Sequence, residues 1–140
     1  MMVRVYWEDT DAGGIVYYAN YLRFAERARS ELVRLAGLDQ AALLCDHGIA
    51  FAVRRCEIDY RAPARLDDLL CVVTRVERLG GASIAMRQEI FRDETPIVGL
   101  LVDLVSVNRD LQPVRLPPEV RATLAQWQAG DRPAATAPAA

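Results

Sequence analysis

Histidine occurs once in this chain, cysteine three times and lysine not at all. The single His47 has no Ser or Cys partner near it in sequence, which argues against a Ser-His-Asp or Cys-His nucleophilic machine. It reads as a surface or capping residue. Cys45, Cys56 and Cys71 are odd in number, lack the spacing of a metal site and have apolar neighbours, so the expectation is buried free thiols and no zinc centre. The net charge of −2 leaves no basic excess of the kind a nucleic-acid binder carries. No run reaches the roughly 18 apolar residues of a membrane span. The first residues do not form a basic-then-apolar leader, and the expected location is cytoplasmic. The pairs Gly13-Gly14 and Gly80-Gly81 are too short to cradle the phosphates of a nucleotide.

What is present fits one domain. A chain of 140 residues, 52% hydrophobic and 26% charged, can bury a substantial core but hardly two. That domain is expected over residues 1–128. The Ala/Pro/Gly tail, 129–140, has no apolar period and is expected to be disordered.

The pattern predicts a strand over Val3–Trp7, ending at an acidic turn. A long amphipathic helix follows over Tyr21–Ala36, with Asn20 as its N-cap and Gly37 at C′. Its apolar stripe is Tyr21, Ala25, Ala28, Leu32 and Leu35, while Arg23, Arg27, Glu31 and Arg34 take the other faces. Glu26 and Arg27 are assigned to support of the structure. Asp39 caps a short helix, Gln40–Asp46, stopped by Gly48. Four strands come next, Phe51–Arg61, Leu69–Arg78, Ala82–Arg92 and Pro96–Asn108, with a hairpin turn at Gly80-Gly81 and another after Asp93. The last is apolar on both faces apart from Asp103 and Ser106, which suggests a central position or an interface. A short final helix, Glu119–Gln128, opens on prolines. The fold class is therefore α+β, with one layer of sheet against helix.

Chemistry concentrates between Glu8 and Tyr21, in E-D-T-D-A-G-G-I-V-Y-Y-A-N-Y. A Gly pair permits a tight turn with positive φ, and such a turn can hold a carboxylate beside the unpaired N–H groups of a helix start. One anion and one set of oxyanion-stabilising donors suffice for acyl transfer. The residues alone leave an alternative open. Asp9 and Asp11 are also ordinary turn formers, and Tyr17, Tyr18 and Tyr21 an ordinary aromatic packing cluster.

The motif D-x-D-x-x-G-I-V-Y-Y-x-N-Y resembles the active-site signature of hotdog-fold acyl-CoA thioesterases. It is similar to the 4-hydroxybenzoyl-CoA thioesterase family, above all its Tol-Pal-associated (YbgC-type) branch. E-R-A-R-S-E at Glu26–Glu31 and Y-R-A-P-A-R-L-D-D at Tyr60–Asp68 extend the resemblance, which spans about Val3 to Pro118. It implies a five-stranded antiparallel sheet wrapped around a long central helix, paired as a homodimer or homotetramer. The implied activity is hydrolysis of an acyl-CoA thioester, with no cofactor, since CoA is part of the substrate.

Asp11 falls on the family's catalytic aspartate, which either attacks the thioester carbonyl or activates a water. Tyr18 falls where a backbone N–H is expected to polarise that carbonyl. Many members of the branch have His there, so any role needing an imidazole is not carried over. Gly14 would give close backbone access, with Tyr17 and Tyr6 lining the site. Arg54, Arg55, Arg61, Arg65 and Arg87 would ordinarily solvate an outer sheet face. CoA phosphates make Arg61 and Arg65 candidate contacts, and Arg65 a candidate ion-pair partner of Asp67 or Asp68. A non-catalytic module binding acyl groups or acyl carrier protein is the alternative reading. A hotdog hydratase or dehydratase ranks last, because that chemistry needs a positioned His.

Overall fold

A computed structural model describes residues 1–128; the tail predicted to be disordered lies outside the described residues. The elements follow the order β1 (Met2–Arg4), α1 (Asn20–Leu35), α2 (Gln40–Ala42), β2 (Ala50–Tyr60), β3 (Leu69–Leu79), β4 (Ser83–Arg92), β5 (Thr95–Val107) and α3 (Pro118–Ala125). The five strands form one antiparallel sheet in the order β1-β3-β4-β5-β2. β5 thus sits inside the sheet between β4 and β2, as its two-faced apolar pattern predicted.

One face of the sheet packs on α1. Phe24, Ala25, Ala28 and Leu32 from the helix share a core with Leu70, Val72 and Val76 of β3, Ile84, Met86 and Ile90 of β4, and Leu100 and Val102 of β5. Val120 and Leu124 of α3 close the same core. The two small alanines on the helix let the strands approach its axis. Gly37 ends α1 at C′: its N–H reaches the Arg34 carbonyl at 3.0 Å and the Leu38 N–H reaches Val33 at 3.0 Å.

Several local expectations are corrected. The first strand stops at Arg4, because the Asp9 carboxylate accepts the Tyr6 N–H at 2.8 Å and winds Trp7–Asp9 into a 3₁₀ turn. Asn20 is the first residue of α1 rather than its cap, and its amide donates to the Asp9 carbonyl at 3.0 Å. Leu35 is 63% exposed, so cover ends one turn before the helix does, whereas Phe24, absent from the predicted stripe, is fully buried. Asp39 does cap α2, accepting the Ala42 N–H at 3.1 Å, but Leu43–His47 continues as a wider π-type turn closed by Gly48. α3 stops at Ala125, short of Gln128. The cysteines are free but not buried: Cys45 and Cys56 are exposed and Cys71 is half-buried. Cys56 lies on the edge strand β2, opposite Val102.

A buried polar bridge joins helix to sheet. Gln88 of β4, fully buried, donates to the Ala25 carbonyl of α1 and to the Thr74 hydroxyl of β3, both at 2.9 Å. Its own carbonyl accepts from Arg29, which is 8% exposed, at 2.9 Å. Arg29 also meets Glu26 at 2.7 Å. Glu26 therefore supports structure as expected, through an arginine that composition would place on the surface. Replacing one member of such a network strands the others in a low-dielectric core. Gln88→Leu is expected to lower the unfolding free energy by about 2 kcal/mol, measured by urea denaturation; unchanged stability would show that the bridge is dispensable.

Candidate active site

The acidic turn is the tip of a small hairpin. An antiparallel bridge between Thr10 and Val16 closes it, and inside it the Asp11 N–H reaches the Ile15 carbonyl at 2.9 Å. Gly14 adopts φ +78°, which explains the glycine on conformation alone, since a Cβ there would meet nothing within 4 Å. Gly13 serves space instead: its Cβ would stand 3.1 Å from Asp11 Oδ1. That oxygen accepts the Gly13 N–H at 2.8 Å. Among the described residues the other carboxylate oxygen, Oδ2, meets no partner. Asp11 is exposed, so a reactant can reach it. Asp9 is committed to the frame. Its side chain holds Tyr6, and its carbonyl accepts from both Tyr17 N–H at 2.8 Å and the Asn20 amide at 3.0 Å.

The returning arm of the hairpin rests on the segment after β2. Val16 N–H reaches the Ala64 carbonyl at 2.8 Å, and Ile15 bridges Arg65. The chain then turns at Tyr17–Ala19 into α1, whose N-cap Ala19 offers no side-chain acceptor. Among the described residues no acceptor meets the backbone N–H groups of Tyr18 and Ala19. The helix start thus presents open donors and the positive end of its dipole.

Beside this start runs an open groove of about 380 Å³, formed by Ile15, Tyr18 and Tyr21 on one side and Tyr60, Arg61 and Pro63 on the other. That volume is within the range of small-molecule sites. Tyr18 and Arg61, both anticipated from the sequence, meet here. Asp11, Gly14, Tyr17 and Arg65 are not among its lining residues but neighbour them along the hairpin and the Ile15–Arg65 bridge; Tyr6 is exposed and does not line it either. Sequence reasoning missed Tyr60 and assigned Tyr21 only to packing. Tyr60 donates its hydroxyl to the Tyr18 carbonyl at 2.9 Å, and the two rings meet edge-on with centroids 6.4 Å apart.

The two arginines differ. Arg61 is engaged, with Nε 3.3 Å from Asp59 and Nη1 4.0 Å from Glu89. The Arg65 guanidinium has no ion-pair partner among the described residues. The expected pairing with Asp67 or Asp68 is corrected: Asp68 accepts the backbone N–H of Arg65 at 2.9 Å, while its ion pair is with Arg92 at 3.2 Å. His47 is exposed at the end of the π-type turn, in keeping with a surface role.

A five-stranded antiparallel sheet wrapped on one long helix, with a glycine-hinged acidic turn leading into the helix start, defines the hotdog class of α+β folds. The chain belongs to the thioesterase superfamily, whose family model matches residues 13–98. It is 45% identical over 121 residues to the acyl-CoA thioesterase YbgC of Haemophilus influenzae, an alignment covering 86% of this chain and 89% of the relative. It is 46% identical over 96 residues to the acyl-CoA thioester hydrolase YbgC of Escherichia coli O157:H7, covering 69% and 71% respectively. The crystal structure of a probable thioesterase from Bartonella henselae superposes with a TM-score of 0.79 at 40% identity, covering 84% of this chain and 97% of that one.

Two of the groove's tyrosines are shifted by their surroundings. Burial pushes the Tyr21 hydroxyl above its ordinary range, against the opposing pull of the Ala64 N–H, which it accepts at 3.0 Å, and of Arg92. Burial raises Tyr60 in the same direction, with the neighbouring Tyr18 adding to it. A tyrosine raised in the folded state loses its proton first in the unfolded chain, so the unfolded state binds fewer protons and stability falls as pH rises. The stabilisation is complete below about pH 10 and is lost progressively above it. Tyr21→Phe should be less stable than wild type at neutral pH, because the Ala64 N–H loses its acceptor. It should nevertheless decline less steeply between about pH 9 and 11; parallel urea-unfolding curves for the two proteins would contradict this.

Proposed function

We propose that this chain is an acyl-CoA thioesterase, releasing a free acid and CoA, with residues 1–128 acting as its one catalytic domain. The observation that carries the reading is the hairpin itself. It offers a reachable carboxylate with one oxygen anchored and one free, and it runs directly into a helix start whose N–H donors are open. Asp11 either attacks the thioester carbonyl carbon, expelling the thiolate and leaving a mixed anhydride for water to open, or removes a proton from the attacking water. In both cases negative charge develops on the carbonyl oxygen, and the Tyr18 N–H polarises and stabilises it. No cofactor enters the chemistry.

The phosphates of CoA assign different parts to the arginines. Arg61 is already neutralised by two carboxylates, so a phosphate would have to displace them. Arg65 is exposed and unpaired among the described residues, which makes it the better anchor. Gly14 and Tyr17 hold the turn and the ring beside Tyr18 rather than the acyl group. The long edge strand β2 is paired on one side only, a surface that proteins cover, and it supports a homodimer or homotetramer. The reading also places the enzyme in the cytoplasm.

Asp11→Asn keeps an oxygen acceptor for the Gly13 N–H while removing the charge. It is expected to reduce CoA release by on the order of 10³-fold on acetyl-, butyryl-, palmitoyl-, benzoyl- or 4-hydroxybenzoyl-CoA, with unfolding unchanged. Retained turnover would remove Asp11 from the mechanism. No turnover by wild type, with tight binding of acylated carrier protein, would favour the carrier-binding alternative. Arg65→Ala should raise KM several-fold with kcat nearly intact, and the difference should shrink in high salt; an unchanged KM would release Arg65 from the CoA site.

A further inference from the structure

Tyr60 is the last residue of β2 and lies opposite Val98 of β5. Ile58 and Cys56 precede it on the same face, opposite Leu100 and Val102. These three β5 residues are buried, so this face of β2 is the helix side of the sheet. The start of α1 sits on that side too, and Tyr60 reaches across to it. Its hydroxyl donates to the Tyr18 carbonyl at 2.9 Å, while its ring stands edge-on to Tyr18 and to Tyr21, with centroids 6.4 and 5.8 Å apart. The turn it reaches is otherwise lightly held. Ala19 provides no side-chain cap, and the nearest anchors are the two bonds to the Asp9 carbonyl and the Asn20 N–H bond to Tyr17 at 2.8 Å.

We propose that Tyr60 is a positioning residue for the thioester reaction: its hydroxyl fixes the main chain at Tyr18, so that the open N–H donors of the helix start point at the reacting carbonyl. The inference rests on the thioesterase reading and deepens it. Oxyanion donors act through preorganisation, and a displacement of about 1 Å can cost on the order of 10²-fold in rate. The Tyr17–Tyr18 peptide, with the Tyr18 N–H, is held by the Asn20 N–H on the Tyr17 carbonyl, but without Tyr60 the next peptide, with the open Ala19 N–H, can rotate. The Tyr60 bond acts on the far side of that turn and removes the rotation. The same ring forms a wall of the groove, so loss of the hydroxyl and loss of the ring have separate consequences.

Tyr60→Phe separates them, because it keeps both ring contacts and deletes only the donor. On any acyl-CoA that wild type cleaves, kcat is expected to fall about tenfold or more while KM stays within about twofold. Phenylalanine at this half-exposed position should leave thermal unfolding nearly unchanged. In ¹⁵N-labelled free protein, the Ala19 amide nitrogen, which shares a peptide with the Tyr18 carbonyl, should shift in the variant. A raised KM with kcat intact would make Tyr60 a groove wall only, and equal kcat and KM would overturn the proposal outright. An unmoved Ala19 signal would overturn the anchoring itself. Failure of wild type to cleave any thioester would overturn the thioesterase reading first and this proposal with it, an outcome distinct from equal activity of the two proteins.

Discussion

The seating of α1 on the sheet depends on the side chain of Gln88. A hydrophobic face alone lets a helix slide or rotate by small amounts, because apolar contact is not directional. Gln88 removes that freedom by bonding a carbonyl in the body of the helix, a hydroxyl on the neighbouring strand and a buried arginine at once. The register of α1 along β3 and β4 is thereby fixed. The position of its first turn is fixed with it, and Tyr18 lies just ahead of that turn, before the N-cap Ala19. The candidate site at one end of the helix is held in place by a polar contact in its middle.

The hairpin adds a second constraint from the other direction. Its returning arm is bonded to Ala64, and Ala64 is bonded to Tyr21 through the tyrosine hydroxyl. The segment after β2 therefore grips the acidic turn and the helix together. Asp68 and Arg92 stiffen that segment from behind, since Arg92 also donates to the Pro63 carbonyl at 2.7 Å. Carboxylate and helix start are two faces of one bonded unit, which the proposed two-component reaction centre needs if its parts are to keep a constant separation.

The strands, the long helix, its Gly37 stop and the acidic turn were legible because each is written in consecutive residues: a period, a cap, a glycine pair. The exposure of Asp11 at the tip of the turn also agrees with its motif. The groove was not legible, because its second wall comes from residues about forty positions away, and nothing in the local pattern of Tyr60 distinguishes a reaching tyrosine from a packing one. Arg29 was hidden for a related reason. An arginine on a helix reads as solvated, and its burial is tolerable only because Gln88, 59 residues later, receives it. The cysteines failed through topology. Apolar neighbours suggest burial, but β2 became an edge strand, and Cys56 on it is exposed.

The tyrosine at position 18, where the resemblance noted above leads one to expect histidine in many members, fits this arrangement physically. In the proposed reaction the donor there belongs to the backbone, and a backbone donor is indifferent to the side chain as long as the peptide keeps its direction. Direction is supplied from outside the residue, by Asp9 through Tyr17 and Asn20 on one side and by Tyr60 on the other. The ring is then free for a different task, and it is used as one: it is 62% exposed and stands edge-on between Tyr17 and Tyr60 at the mouth of the groove. A histidine would add a group that titrates near neutral pH. Tyr21 and Tyr60 do not titrate there: tyrosine ordinarily ionises near pH 10, and burial pushes both higher, so their hydroxyls stay protonated across the physiological range.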